Sequence, residues 1–433
     1  MSGTYMSPVG GYIADCGYLE DPGILSGDDR KYLRELARQV RDIASLPIQE
    51  ERRLLWLRHN ALEDTRPLVT VYPEDGWQDL IPRESLRVTS PMWRQCEWYL
   101  RHLIYRHDHI RDDFVIQPVI FSFVDWGVEN GAFGLEVHTR RIKEAGAWVN
   151  IPSLTSYDDL PKLKPQRFFV RDEPTRRRYE ATEEVFGDIL QVEYNLTSHF
   201  MANQPGTAAA LRGIEQLMFD MADEPENVHA LMRFLTDSQR QVFLDMEASG
   251  WLTPNSRGHY VDSGGNGYSR KLPIDEKPVT LKNLWGFGVA QEFSGISPDM
   301  HEEFGVRYQK ELLALFGLSS YGCCEPYTYK FDMLRAIPNL RRISISPWCD
   351  IERAAAALGT SYILSWKPNP AVLIFDNDPD YVRSYVRDAL KNCRGCRAEV
   401  FLKDIIHLRG LEQRLWAVCD ILQEEIHRQS MQI

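Results

Sequence analysis

From residue 284 onward, short runs rich in β-branched and aromatic residues alternate with well-signalled helices, and this alternation limits the possible folds more than any other feature. The runs fall at 284–290, 318–321, 342–346, 361–365 and 399–404. Between them, Ser297 caps and Pro298 opens one helix, Asp350 caps a second that Gly359 ends, and Asp378-Pro379 starts a third. Strands apolar on both faces, each followed by a helix, belong to a parallel sheet covered on both sides. Three further runs lie upstream, at 67–72, 114–124 and 189–194, where Pro118 requires a bulge or an edge position. Eight such strands argue for α/β architecture closed into a (β/α)8 TIM barrel rather than an open sheet.

The rest of the chain attaches to that frame. Residues 1–26 are rich in Gly, Pro and Ser without sustained period, and read as an N-terminal arm lying over the fold or over a second subunit of a homodimer. Residues 27–110 read as a helical N-terminal extension: Leu33, Leu36, Val40 and Ile43 make one apolar stripe, and helices follow near 48–62 and 92–107. The barrel occupies 111–433. Ser263-Gly264-Gly265-Asn266-Gly267-Tyr268 has no strand-to-helix context for a phosphate loop and reads as a mobile covering loop.

Charge and cysteine usage exclude several classes of function. The formal net charge of −12, with a pI near 5.5, argues against a nucleic-acid partner, which would need clustered Lys and Arg. No window approaches 18 apolar residues and the first residues carry no signal-peptide core, so the expectation is a cytoplasmic protein without a membrane partner. Eight cysteines in 433 residues fit a reducing compartment with thiols free to act as ligands. Gly-x-Ser-x-Gly and Walker motifs are absent from the sequence, which removes serine hydrolases and nucleotide hydrolases.

In a barrel, polar residues just after strand ends share one rim however far apart they are in sequence. Cys323, Cys324, Glu325 and His407 then make the donor set of a catalytic zinc site, with only one of the two adjacent thiols able to face a given point easily. Glu292 and Asp404 are candidates to give a proton to a leaving heteroatom, and Lys367 to hold an anionic group. His199, Asn203 and Trp348 fall where a cofactor would be bound, and Cys349 is a reserve ligand.

Four motifs carry a family likeness: Tyr321-Gly322-Cys323-Cys324-Glu325-Pro326, Ser346-Pro347-Trp348-Cys349-Asp350, Ser365-Trp366-Lys367-Pro368-Asn369-Pro370 and Leu402-Lys403-Asp404. With the strand order, they resemble the uroporphyrinogen decarboxylase superfamily, in its branch close to cobamide-dependent methyltransferases. The resemblance implies a (β/α)8 barrel with its pocket at the strand carboxyl ends. The family's decarboxylases carry an Arg-Gln-Ala-Gly-Arg segment for substrate carboxylates, where this chain reads Val71-Tyr72-Pro73-Glu74-Asp75-Gly76-Trp77. Acids in place of arginines would repel a polyanionic tetrapyrrole. In the methyltransferases a His-x-Cys and a later Cys bind zinc; here Tyr321 stands at the His position, Cys323 at the Cys and His407 near the later Cys. The likeness therefore implies a zinc-dependent methyltransferase that moves a methyl group between a small methoxylated or methylamine-type molecule and a separate corrinoid protein. The alternatives are a decarboxylase of a small acid and a non-catalytic ligand-binding barrel.

Overall fold

The computed structural model describes residues 5–6, 12–13, 20–136, 138–141, 148–263 and 265–430. Most of the segment expected as an arm, together with Gly264, lies outside them.

Seven strands form one parallel sheet. In chain order they are β1 (Leu68–Val71), β4 (Met201–Ala202), β5 (Trp285–Gly288), β6 (Leu318–Tyr321), β7 (Leu340–Ile345), β8 (Ile363–Trp366) and β9 (Arg397–Leu402); β2 (Val119–Phe123) and β3 (Gln191–Asn195) make a separate parallel pair. The sheet order is β4-β5-β6-β7-β8-β9-β1, so the last strand pairs back onto the first. β1 thus belongs to the central sheet although it falls within the residues expected as a helical extension. Strand β2 begins one residue after Pro118, whose carbonyl accepts a bond from Gln191 N at 2.8 Å, so the proline needs no bulge.

The expected ring of strands is not hydrogen-bonded all the way round among the described residues. On the outer edge of β1, Val69 N donates to Asp113 Oδ2 at 2.9 Å and Val71 N to Asp112 Oδ2 at 3.0 Å. Arg66 and Arg106 hold these carboxylates at 2.6 Å and 2.5 Å. Two side chains therefore satisfy amides that a neighbouring strand would otherwise take. A second interruption follows β3, where Leu196 N turns to Thr253 Oγ1 at 3.1 Å before β4 begins.

Period-two alternation sorts the sheet's side chains into two unlike faces. Val69, Val71, Ile343, Ile345, Leu364, Trp366, Val400 and Leu402 pack into the main core with Val382, Val386, Leu415, Val418 and Leu422 of the helices Pro379–Asn392 and Glu412–Ser430. The opposite face carries Thr70, Ser320, Arg342, Ser344, Ser365 and Glu399, all buried. A parallel sheet with one polar buried face must pair its charges internally. Arg342 Nε lies 2.8 Å from Glu399 Oε1 and its Nη1 3.1 Å from Asp262 Oδ2. His59 Nε2 lies 3.2 Å from the other oxygen of Glu399.

The segment read as a mobile covering loop is part of this interior. Asp262, Ser263 and Asn266 are buried, Tyr260 bridges to Asn266, and a Cβ at Gly265 would lie 2.5 Å from the Arg342 guanidinium. The glycine lets the loop approach the buried ion pairs closely enough for Asp262 to join them. Two helices, Gln204–Arg212 and Ile214–Asp223, follow β4 and are divided at Gly213, whose φ is 86°. The cap and stop signals at Ser297, Asp350, Gly359 and Asp378 all sit at helix ends as the sequence implies.

Candidate functional site

The turn after β6 is built by its own residues. Gly322 has φ of +97°, and a Cβ there would lie 2.6 Å from the Tyr327 ring, so the chain turns sharply only with glycine at this point. Glu325 is buried and serves as the turn's internal fastener: Oε2 accepts from Cys323 N at 2.8 Å, and Oε1 from Ala290 N at 3.0 Å and from the Tyr327 hydroxyl. Ser344 Oγ donates to the Cys323 carbonyl at 3.0 Å. The two thiols come out of this turn with their sulfurs 3.5 Å apart, Cys323 partly buried and Cys324 exposed.

Charged groups gather around Cys323. The Cys324 thiol beside it, then Lys403 and Ser263, bring its pKa down to about 7 against the opposing effect of burial, while the same contact and burial raise that of Cys324. These neighbours therefore favour the thiolate at Cys323 over one at Cys324. Lys403, buried just past β9, has its Nζ 2.9 Å from Asp404 Oδ1 and 4.0 Å from Glu74 Oε1. Burial works against its charge, but Cys323, Glu74 and Asp404 outweigh it and hold Lys403 as an ammonium. Burial raises Glu74, with Lys403 opposing. Glu74 Oε2 also accepts from Asp404 N at 3.0 Å, tying the end of β1 to the end of β9.

Aromatic rings back this group. Tyr72 stacks on Phe401 at 4.7 Å and meets Tyr260 edge-on at 4.8 Å. Lys367 lies over Phe401, its Nζ 5.4 Å from the ring centre, and reaches Ser365 Oγ at 2.5 Å. Ser365 in turn donates to Glu399 Oε1 at 2.5 Å, joining Lys367 to the buried ion pairs. Burial lowers the Lys367 pKa to about 8, with Asp262 and Glu399 opposing. For Glu399 burial is the largest influence, but Arg342 and His59 together outweigh it and hold the carboxyl at about 2.

Several expected site residues have other work. Asn203 caps the helix Gln204–Arg212, its Oδ1 accepting from Gly206 N at 3.1 Å. His199 is held by Ser198 Oγ at 3.0 Å and the Asp262 carbonyl at 3.2 Å, tilted against Tyr260, and burial lowers its pKa to about 4. It braces the ring that backs the site. Trp348 is 71% exposed. Glu292 sits in the turn after β5; burial, then the nearby Glu325 charge, raises its pKa, and its Oε2 has no hydrogen-bond partner among the described residues. Cys349 lies 3.7 Å from Thr328 Oγ1.

The donor set proposed from sequence does not assemble as a coordination group. Glu325 has both oxygens engaged with the turn, and His407 is 60% exposed, its Nδ1 3.9 Å from Asp79 Oδ1. Tyr321 points into the helical layer, donating to Gln309 Oε1 at 2.5 Å. Among the described residues no three His, Cys, Asp or Glu side chains are disposed to hold a metal. Only the two sulfurs of the set remain as neighbouring donors.

Glu74, Asp262, Ser263 and Tyr260 were not among the sequence candidates. Glu74 stood in plain view as an acid; Ser263 was hidden in a glycine-rich stretch whose composition reads as loop, with Tyr260 and Asp262 just ahead of it.

No family model and no curated protein matches the chain. Among solved structures, a methyltransferase from Methanosarcina mazei is similar at 13% identity, with 86% of this chain and 97% of that one covered and a TM-score of 0.47. A likeness of this extent assigns no activity to the chain. No helix among the described residues is long and apolar enough to cross a membrane.

Proposed function

We propose that this chain is a methyltransferase in which Cys323 is the reacting sulfur, and that it passes the methyl group to a separate corrinoid protein. The observation that carries this reading is the Cys323 thiol, lowered to about 7 beside the Lys403 ammonium at the carboxyl ends of parallel strands. Methyl transfer from oxygen or nitrogen calls for a soft nucleophile and a proton source for the leaving atom. The Cys323 thiolate attacks the methyl carbon of a small methoxylated or methylamine-type substrate. The carbon–heteroatom bond breaks, and the heteroatom leaves with the electron pair and takes a proton from Lys403 or from the raised carboxyl of Glu292. A corrinoid carried by the partner would supply the second acceptor, and loss of the methyl group from sulfur would return Cys323 to the thiolate. Tyr329, Trp348 and Ile406, large exposed apolar side chains on the loops after β6, β7 and β9, supply the surface a partner protein would cover.

The strand order, with β9 returning to β1 and β2 paired to β3, supports reading the strands as a (β/α)8 barrel interrupted at the Asp112–Asp113 edge and again between β3 and β4. No step of the transfer is assigned to zinc, because Glu325 is engaged within its own turn and His407 lies exposed beside Asp79. One observation favours a second reading: Lys367, buried over Phe401 with a pKa near 8, could anchor a small carboxylate for decarboxylation.

The test is methyl transfer from a panel of methoxylated and methylamine donors to a reduced corrinoid protein, with metal analysis of the purified chain. The expected result is transfer by the natural chain and a methylated peptide at Cys323 when the corrinoid protein is withheld, with neither seen in Cys323→Ser. Transfer at an unchanged rate by Cys323→Ser, or from no donor on the panel, would overturn the reading. Carbon dioxide release from small acids, lost in Lys367→Met, would favour the second.

A further inference from the structure

Cys324 makes and breaks no bond in the transfer described above, and it lies on the exposed side of the turn with its sulfur 3.5 Å from that of Cys323. We propose that Cys323 and Cys324 are a peroxide-modified pair that closes into a disulfide between neighbours, removing the reacting sulfur from the site reversibly. The geometry requires a change only at the tip of the turn. The sulfurs must approach by about 1.5 Å to reach a bonded separation, while Glu325, Gly322 and Ser344 fix the backbone on either side.

The co-reactant is a hydroperoxide. The Cys323 sulfur attacks the outer peroxide oxygen, the O–O bond breaks, and the other oxygen leaves as water or alcohol with a proton from Lys403. Cys323 is then a sulfenic acid. The Cys324 sulfur attacks it, the S–S bond forms, the S–O bond breaks, and the hydroxyl departs as water with the Cys324 proton. Two thiols lose two electrons and the peroxide gains them. Adjacent cysteines bring their Cα atoms to about 3.8 Å, shorter than ordinary disulfides span, so the closed ring is strained and readily reopened by a dithiol. Cys349, the other cysteine on the neighbouring loop, is directed to Thr328 Oγ1 and the Asp350 carbonyl instead.

The regulatory consequence rests on Cys323 being the reacting sulfur, whereas closure itself is read without any activity assay. The full-length chain is treated with a small excess of hydrogen peroxide, capped with N-ethylmaleimide and mapped by peptide mass. The expected 323–324 peptide carries no maleimide, is lighter by two hydrogens than the reduced peptide, and regains two maleimides after dithiothreitol. In Cys324→Ser the sulfenic acid persists and is captured by dimedone. Two maleimides after peroxide, sulfinic acid in the natural chain, or a bridge from either residue to Cys349 would each overturn the proposal. Closure of the pair in a chain that transfers no methyl group would leave the inference standing and remove only the proposed function.

Discussion

Replacing Cys324 with alanine separates the neighbouring thiol from the rest of the site as the source of Cys323 reactivity. In the intact turn the Cys324 contact at 3.5 Å is the largest influence bringing Cys323 from the ordinary 9.0 to about 7, with Lys403 and Ser263 adding to it against burial. A thiol of pKa about 7 is roughly three-quarters ionised at pH 7.5, and one of pKa 9 roughly 3%. The alanine variant keeps Lys403 and Ser263, so its midpoint settles between these limits, about one pH unit or slightly more above the natural chain. Thiolate at pH 7.5 then falls about three- to fivefold, and alkylation slows in proportion. The assay follows iodoacetamide labelling of the peptide containing Cys323 from pH 5 to 10. A midpoint still at about 7 in the variant, or one at 9 or above in the natural chain, would refute the electrostatic account.

Two further outcomes concern the buried polar face of the sheet. Arg342→Met leaves Asp262 and Glu399 inside the fold without the guanidinium that joins them at 3.1 Å and 2.8 Å. The cost is about 3–5 kcal/mol in urea unfolding, and a loss under about 1 kcal/mol would show that the network carries little stability. Glu399 is held at about 2, below its ordinary 4.5, so its ionised form stabilises the folded state above about pH 4.5 and that contribution disappears as pH falls towards 2. The swing is about 3 kcal/mol, measured as the acid slope of unfolding free energy, and an unchanged slope in Glu399→Gln would contradict it.

Much of the fold was legible because its signals are local. The caps at Ser297, Asp350 and Asp378 and the stop at Gly359 act within one helical turn, and strands β5 to β9 announce themselves by composition. The edge of β1 was not legible, since the bonds from Val69 and Val71 to Asp113 and Asp112 cross more than forty positions of the chain. The site divides in the same way. Cys323, Cys324, Lys367 and Asp404 stood out by type and place, whereas Asn203 and Glu325 carry side chains suited to chemistry that are spent on a helix cap and a turn.

By itself the sequence determined the alternation of strands and helices, the placing of Cys323 and Lys403 just beyond strand ends, and the overall acidity. Those properties depend on residue type and spacing. The tertiary structure alone decided which groups surround the paired sulfurs and which engagements hold Glu325 and His407. A pKa and a coordination shell are set by the few ångströms around an atom, and Cys323 is influenced by Ser263 and by Lys403, itself held beside Glu74, groups brought together only when β1 closes against β9 and the glycine-rich segment folds inward.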